Sequence, residues 1–116
     1  MLAEGIAINQ EVIRFLLEDY GMNLECAENG QIAVERFLAE PQRFEIIFMD
    51  LHMPVMDGYS ATKAIRGSGV SNAKTIPILA MTANAFTEDV ASCHDAGMND
   101  HIAKPVDLNT LLQKMV

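Results

Sequence analysis

The stretch from Ile46 to Gly58 constrains this chain more than any other. Ile46-Ile47-Phe48-Met49 runs four apolar residues straight into Asp50, and Pro54 and the Asp57-Gly58 pair then break the run before helical spacing resumes. An apolar run without alternation suits a parallel strand covered on both faces. Asp50 then stands at the carboxyl end of that strand. In an open α/β sheet this is the edge where ligands bind, near the point where strand order reverses. A carboxylate there is a candidate nucleophile or metal ligand, but it is equally an ordinary way to begin a turn, so Asp50 alone does not decide.

The length of 116 residues fits one domain, 1–116, with a single core. Half of the residues are apolar, which argues against disorder. The formal charge of -8, from 16 acidic and 8 basic residues, argues against direct binding of nucleic acid or of an anionic membrane. No apolar run approaches the roughly 20 residues of a membrane span, and no cationic segment leads into an apolar signal core. The expectation is a cytoplasmic domain without membrane insertion. Cys26 and Cys93 lack zinc-site spacing and read as packed thiols of a reducing compartment.

Taken in order, Met1-Leu2-Ala3 reads as the end of a strand, followed by Glu4 and Gly5. Asn9 is the expected N-cap of a first helix with Val12, Leu16 and Tyr20 on one face, Ile13 and Leu17 beside them, and Gly21 at its end. Met22 to Ala27 forms a second strand. Asn29-Gly30 opens a helix with Ala33, Val34, Phe37 and Leu38 inward, stopped before Pro41. The Ile46–Asp50 strand follows. Asp57 caps a third helix that turns Ala61, Ala64 and Ile65 inward, and Gly67-Ser68-Gly69 ends it. Ile76 to Met81 is a fourth strand, with Pro77 tolerable near its start and Thr82 closing it. Thr87 caps a weakly patterned fourth helix that carries Val90 and Cys93 and ends at Gly97. Asp100 to Ala103 makes a short fifth strand before Lys104-Pro105. Asp107 caps a last helix with Leu108, Leu111, Leu112 and Met115 at i, i+3, i+4 and i+7.

Strands alternating with helices five times over imply a flavodoxin-like α/β fold: a doubly wound, five-stranded parallel sheet with helices on both faces and strand order 2-1-3-4-5. The polar residues that follow strands one, three, four and five are then Glu4, Asp50, Thr82 and Lys104. Parallel strands lie about 4.8 Å apart, so these groups come within side-chain reach of one another. A carboxylate can attack phosphorus to give an acyl phosphate, a reaction that needs positive charge on the phosphoryl oxygens and a shared metal. Lys104 supplies an ammonium and Thr82 a hydroxyl donor. Glu4, Asp50 and a carbonyl at His52 are oxygen donors suited to Mg²⁺.

With these residues assembled, the chain resembles the receiver domains of two-component response regulators and phosphorelays, most closely receivers of hybrid sensor histidine kinases. The resemblance spans essentially the whole chain. It rests on Met49-Asp50-Leu51-His52-Met53-Pro54-Val55-Met56-Asp57-Gly58, Pro77-Ile78-Leu79-Ala80-Met81-Thr82-Ala83, Ala96-Gly97-Met98-Asn99-Asp100 and Lys104-Pro105. It implies a phosphoprotein in which Asp50 accepts a phosphoryl group from a phosphohistidine, Thr82 binds a phosphoryl oxygen and Lys104 pairs with the charged site. It also implies a cis bond before Pro105. The implied partners are a histidine kinase or histidine phosphotransfer domain upstream and an effector or phosphotransfer protein downstream. One departure stands out: receivers carry two adjacent acids after strand one, and here the pair is Glu4-Gly5. Glu4 generally acts through water in the family, so Gly5 removes the direct ligand and weak Mg²⁺ binding is expected. Strand one is also short, as in a chain clipped at its start from a larger protein.

By the same resemblance His101 is the aromatic switch that answers the movement of Thr82, with output through the face of helix four, strand five and helix five. His52 and Asn84, two residues beyond Asp50 and Thr82, are candidate modulators of dephosphorylation. Two other functions fit the same residues: a degenerate receiver that binds protein without phosphorylation, favoured by Gly5, and a Mg²⁺-dependent phosphohydrolase acting through Asp50. Against the hydrolase, His52 stands where such enzymes usually place a second acid.

Overall fold

A computed structural model describes residues 1–5, 7–18, 24–51, 53, 55–82, 94–103 and 113. Its elements are β1 (Leu2–Ala3), α1 (Ala7–Glu18), β2 (Cys26–Ala27), α2 (Gly30–Ala39), a 3₁₀ turn (Pro41–Arg43), β3 (Ile47–Asp50), α3 (Gly58–Arg66), β4 (Ile78–Thr82) and β5 (Asp100–Ala103). All strand pairs are parallel, in the order β2-β1-β3-β4-β5. This is the expected doubly wound sheet. Its switch point lies between β1 and β3, since β2 lies on one side of β1 and β3 on the other.

Each strand alternates its side chains between two apolar layers. Ala3, Ala27, Ile47, Met49, Ile78 and Ala80 pack with Ala33, Val34 and Phe37 of α2 and Ala61 and Ile65 of α3. Leu2, Phe48, Leu79, Met81 and Ile102 pack with Ile13 and Leu17 of α1. All four residues of β3 and all five of β4 are buried, so their unbroken apolar pattern reflects cover on both faces.

The helix faces are narrower than the sequence spacing predicts. Helix α1 begins at Ala7, before Asn9, so Asn9 is an internal residue and not the N-cap. The helix turns Ile13 and Leu17 inward and leaves Val12 and Phe15 49% and 75% exposed. In α2 the buried set is Gly30, Ala33, Val34 and Phe37, which leaves Leu38 exposed. In α3 it is Gly58, Ala61, Thr62 and Ile65, so Thr62 takes the place expected for Ala64. Both follow i, i+3, i+4, i+7, and the rejected residues lie about 100° round the axis from the last inward position. Tyr20, Gly21, Thr87, Val90, Cys93, Asp107 and the last-helix residues Leu108, Leu111, Leu112 and Met115 lie outside the described residues.

Capping fixes where α2 and α3 start. Asn29 accepts from Ile32 N at 2.9 Å and Asp57 from Ser60 N at 2.8 Å. The C-terminal end of α3 is held by Arg66. Its guanidinium donates to Gly97 O (2.9 Å), Ala73 O (3.0 Å), Ile76 O (2.8 Å) and Asn99 Oδ1 (2.9 Å). Burial lowers the pKa of Arg66 from its ordinary value. Gly97 closes the helical turn at 94–96 with φ of +102°, where side chains are disfavoured, and a Cβ there would lie 3.1 Å from Arg66 Cγ. Asn99 Oδ1 also accepts from Ile78 N at 2.9 Å, and Asn99 N donates to Ile78 O at 2.9 Å. One side chain thus joins α3, the loop before β4 and the entry to β5.

Candidate functional site

The sheet register brings three polar residues to one edge. Leu2 pairs with Phe48 and Ala3 with Met49, so Glu4, the next residue, continues alongside Asp50. Asp50 pairs with Met81, and Thr82 is the residue after it. All three are buried: Glu4 is 0% exposed, Asp50 5% and Thr82 1%. Buried polar groups at successive strand ends are costly unless they are held by partners, and apolar packing alone would not select them. Lys104, the fourth expected member, lies outside the described residues, as do His52, Asn84 and Pro105.

The backbone beneath Asp50 is tightly built. Leu51 N donates to Met81 O at 3.2 Å and Gly58 N to Leu51 O at 3.1 Å. A Cβ at Gly58 would lie 2.3 Å from the Asp50 carbonyl oxygen, so only glycine lets α3 start this close to the strand end. The intervening loop is fastened at Met53, which is buried, and at Met56, whose carbonyl accepts from Gly30 N at 3.1 Å. Between them Val55 adopts φ of +68° with its side chain 82% exposed. A β-branched residue in the left-handed region is strained, and here the strain lies five positions from Asp50 in the sequence.

Glu4 is held by α1. Its backbone N donates to Ala27 O (3.0 Å), its carbonyl accepts from Gln10 Nε2 (2.6 Å), and its Oε1 accepts from Asn9 Nδ2 (3.4 Å). Asn9 therefore reaches the site, a placement that its reading as a cap concealed. Its position five residues after Glu4, within the first turn of α1, was the available signal.

His101 pairs in register with Ala80 and so stands on the α2–α3 face of the sheet, while its neighbour Ile102 enters the opposite layer. The ring is half-buried, and its Nδ1 lies 3.6 Å from Asp100 Oδ1.

Glu4 and Asp50 offer hard carboxylate oxygens from adjacent strand ends, a donor set that suits Mg²⁺. Among the described residues no group of three His, Cys, Asp or Glu side chains converges on one point. The residues fit an ion that completes its coordination largely with water.

A family model for the response regulator receiver domain matches residues 1–116. The chain belongs to that receiver family. The receiver is 37% identical over 120 residues to hybrid signal transduction histidine kinase M of Dictyostelium discoideum, an alignment covering 100% of this chain and 5% of the kinase. It therefore spans a small fraction of the length of that relative. Among solved structures, the receiver domain of sensor histidine kinase PA1611 from Pseudomonas aeruginosa is 42% identical with a TM-score of 0.84, covering 97% of this chain and 88% of that one. That structure has a magnesium ion coordinated in its active site cleft. A chain in the co-crystal of the Saccharomyces cerevisiae phosphotransfer protein Ypd1 with the receiver domain of Ssk1 is 32% identical with a TM-score of 0.84, covering 97% of this receiver and 82% of that chain. The receiver is thus a module of two-component signalling. No helix among its described residues is long and apolar enough to cross a membrane.

Proposed function

We propose that Asp50 is the phosphoacceptor of this receiver and takes its phosphoryl group from a phosphohistidine. The observation that carries the reading is the burial of Asp50 at the carboxyl end of β3, flanked in register by Glu4 and followed on β4 by Thr82. A carboxylate oxygen of Asp50 attacks phosphorus, an O–P bond forms as the P–N bond to the donor imidazole breaks, and the departing imidazole nitrogen keeps the electron pair until it takes a proton from solvent. Thr82 donates its hydroxyl to a phosphoryl oxygen, and Lys104 places an ammonium beside the charge that develops there. Glu4 through water, Asp50 directly and the His52 carbonyl would hold Mg²⁺, which supplies charge neutralisation at the phosphoryl oxygens when bound. With Gly5 in place of a second acid, that binding is weak. The module turns over no separate substrate.

The added charge of about -1.5 to -2 is sensed through Thr82 and His101 and read on the face formed by helix four, β5 and helix five. The donor is a histidine kinase or a phosphotransfer domain like the one crystallised with Ssk1.

Incubation with phosphoramidate and Mg²⁺ followed by intact mass measurement tests the assignment. One added phosphoryl group, absent in Asp50→Ala, is the expected result. No mass gain would favour the second reading, an interaction module independent of phosphorylation, for which Gly5 is the specific support. Rapid release of inorganic phosphate from a small donor would favour a hydrolase.

A further inference from the structure

We infer that Asn9 and Gln10 form a side-chain brace that fixes Glu4 for the metal site and offsets the missing acid at Gly5; the inference rests on the phosphoacceptor reading above. Glu4 is fully buried and is tethered to β2 through its backbone N (3.0 Å to Ala27 O) and to α1 through its carbonyl (2.6 Å to Gln10 Nε2) and its carboxylate (3.4 Å to Asn9 Nδ2). The two amides come from consecutive residues near the start of α1. The helix thereby clamps both ends of the Glu4 residue across the Gly5 turn.

The physical need for the clamp follows from Gly5. Glycine there contributes no carboxylate and lets the turn after β1 move more freely than any other residue would. A site with one acid fewer must gain affinity by having its remaining ligands already in place, and holding Glu4 in a single rotamer does this. An amide is the suitable partner: it donates to Oε1 without adding charge, so the carboxylate keeps its full negative charge for a metal-bound water. Asn9 and Gln10 are positioning residues, since they act through Glu4.

Mg²⁺ titration of the chain followed by backbone amide shifts near Glu4 and Asp50 tests the brace independently of phosphoryl uptake. Asn9→Ala is expected to weaken Mg²⁺ binding about 10-fold, the usual cost of removing a group that orients a ligand. Asn9→Asp is expected to act in the opposite direction. It places a second carboxylate where the amide approaches Glu4, tightens Mg²⁺ binding above the parent's and makes the melting temperature depend on Mg²⁺. Gln10→Ala is expected to weaken binding without changing the site's charge. A residue with only a structural role would not give Asn9→Ala and Asn9→Asp opposite signs. Unchanged affinity in Asn9→Ala, or a parent chain with no Mg²⁺-dependent shifts, overturns the brace. If Asp50 still gains a phosphoryl mass in either case, the phosphoacceptor reading survives that failure; if it does not, both fall.

Discussion

Replacing Arg66 by methionine keeps most of the side chain's apolar bulk and removes every hydrogen bond its guanidinium makes. Three carbonyls, Ala73 O, Ile76 O and Gly97 O, lose their donor, and Asn99 Oδ1 keeps only its bond from Ile78 N; the four lost bonds span 2.8 to 3.0 Å. Ala73 and Ile76 are 1% and 3% exposed, so water reaches their carbonyls poorly. A buried acceptor left without a partner costs about 1–3 kcal/mol, and a partly exposed one only a few tenths because water replaces the donor. Taking the low end for the two buried carbonyls, adding a few tenths for the more exposed acceptors and subtracting the relief of no longer desolvating a charge leaves a net loss of about 2 kcal/mol. For a domain of this size that is a fall in Tm on the order of 10 °C. Urea unfolding followed by circular dichroism gives the loss directly, and hydrogen exchange should show faster opening at Met98 to Asp100. Arg66→Lys keeps the charge but cannot fork to four acceptors, so it should lose about half as much. A change in unfolding free energy below about 0.5 kcal/mol in Arg66→Met would refute the claim that this fork holds the base of the molecule together.

Gly58→Ala should destabilise the fold by about 2 kcal/mol or more and slow phosphoryl uptake, because the added methyl meets the Asp50 carbonyl oxygen at 2.3 Å and α3 must shift; chemical denaturation and intact mass over time read the two effects. Val55→Asn should stabilise by about 1 kcal/mol, since asparagine tolerates the φ of +68° that valine resists, and a higher urea midpoint at unchanged slope is the sign to look for. Gly5→Asp, which restores the acidic pair, should tighten Mg²⁺ binding at least about 10-fold in an amide-shift titration. Equal affinity would show that the pair is not what limits the site.

The parts of the fold that were legible in the sequence are those set by short-range rules. Asp50 at the end of an apolar run, the asparagine and aspartate caps of α2 and α3, and Gly97 at a helix end each follow from a few adjacent residues. The inward faces were legible only to within one position: Val12, Leu38 and Ala64 are apolar neighbours of the true stripes, and hydrophobicity alone does not say which of two adjacent residues meets the sheet. Strand four showed a similar slip, since Thr82 belongs to it and does not merely follow it. Arg66 left no trace at all. A cation in the last turn of a helix is ordinary on dipole grounds, and its acceptors lie 7, 10, 31 and 33 residues away, a pattern without periodicity. Asn9 was visible but misassigned, because a polar residue near a helix start fits a cap as well as a contact reaching back to the strand before it.

The close seating of α3 under Asp50 bears on how a signal can leave this molecule. The Asp50 carbonyl lies so close to the start of α3 that a single Cβ at Gly58 would not fit between them, so the peptide plane there has little room to shift under the phosphoryl group proposed for its side chain. Under the proposed phosphorylation of Asp50, movement is therefore expected at the neighbouring strand that carries Thr82 rather than at this seat.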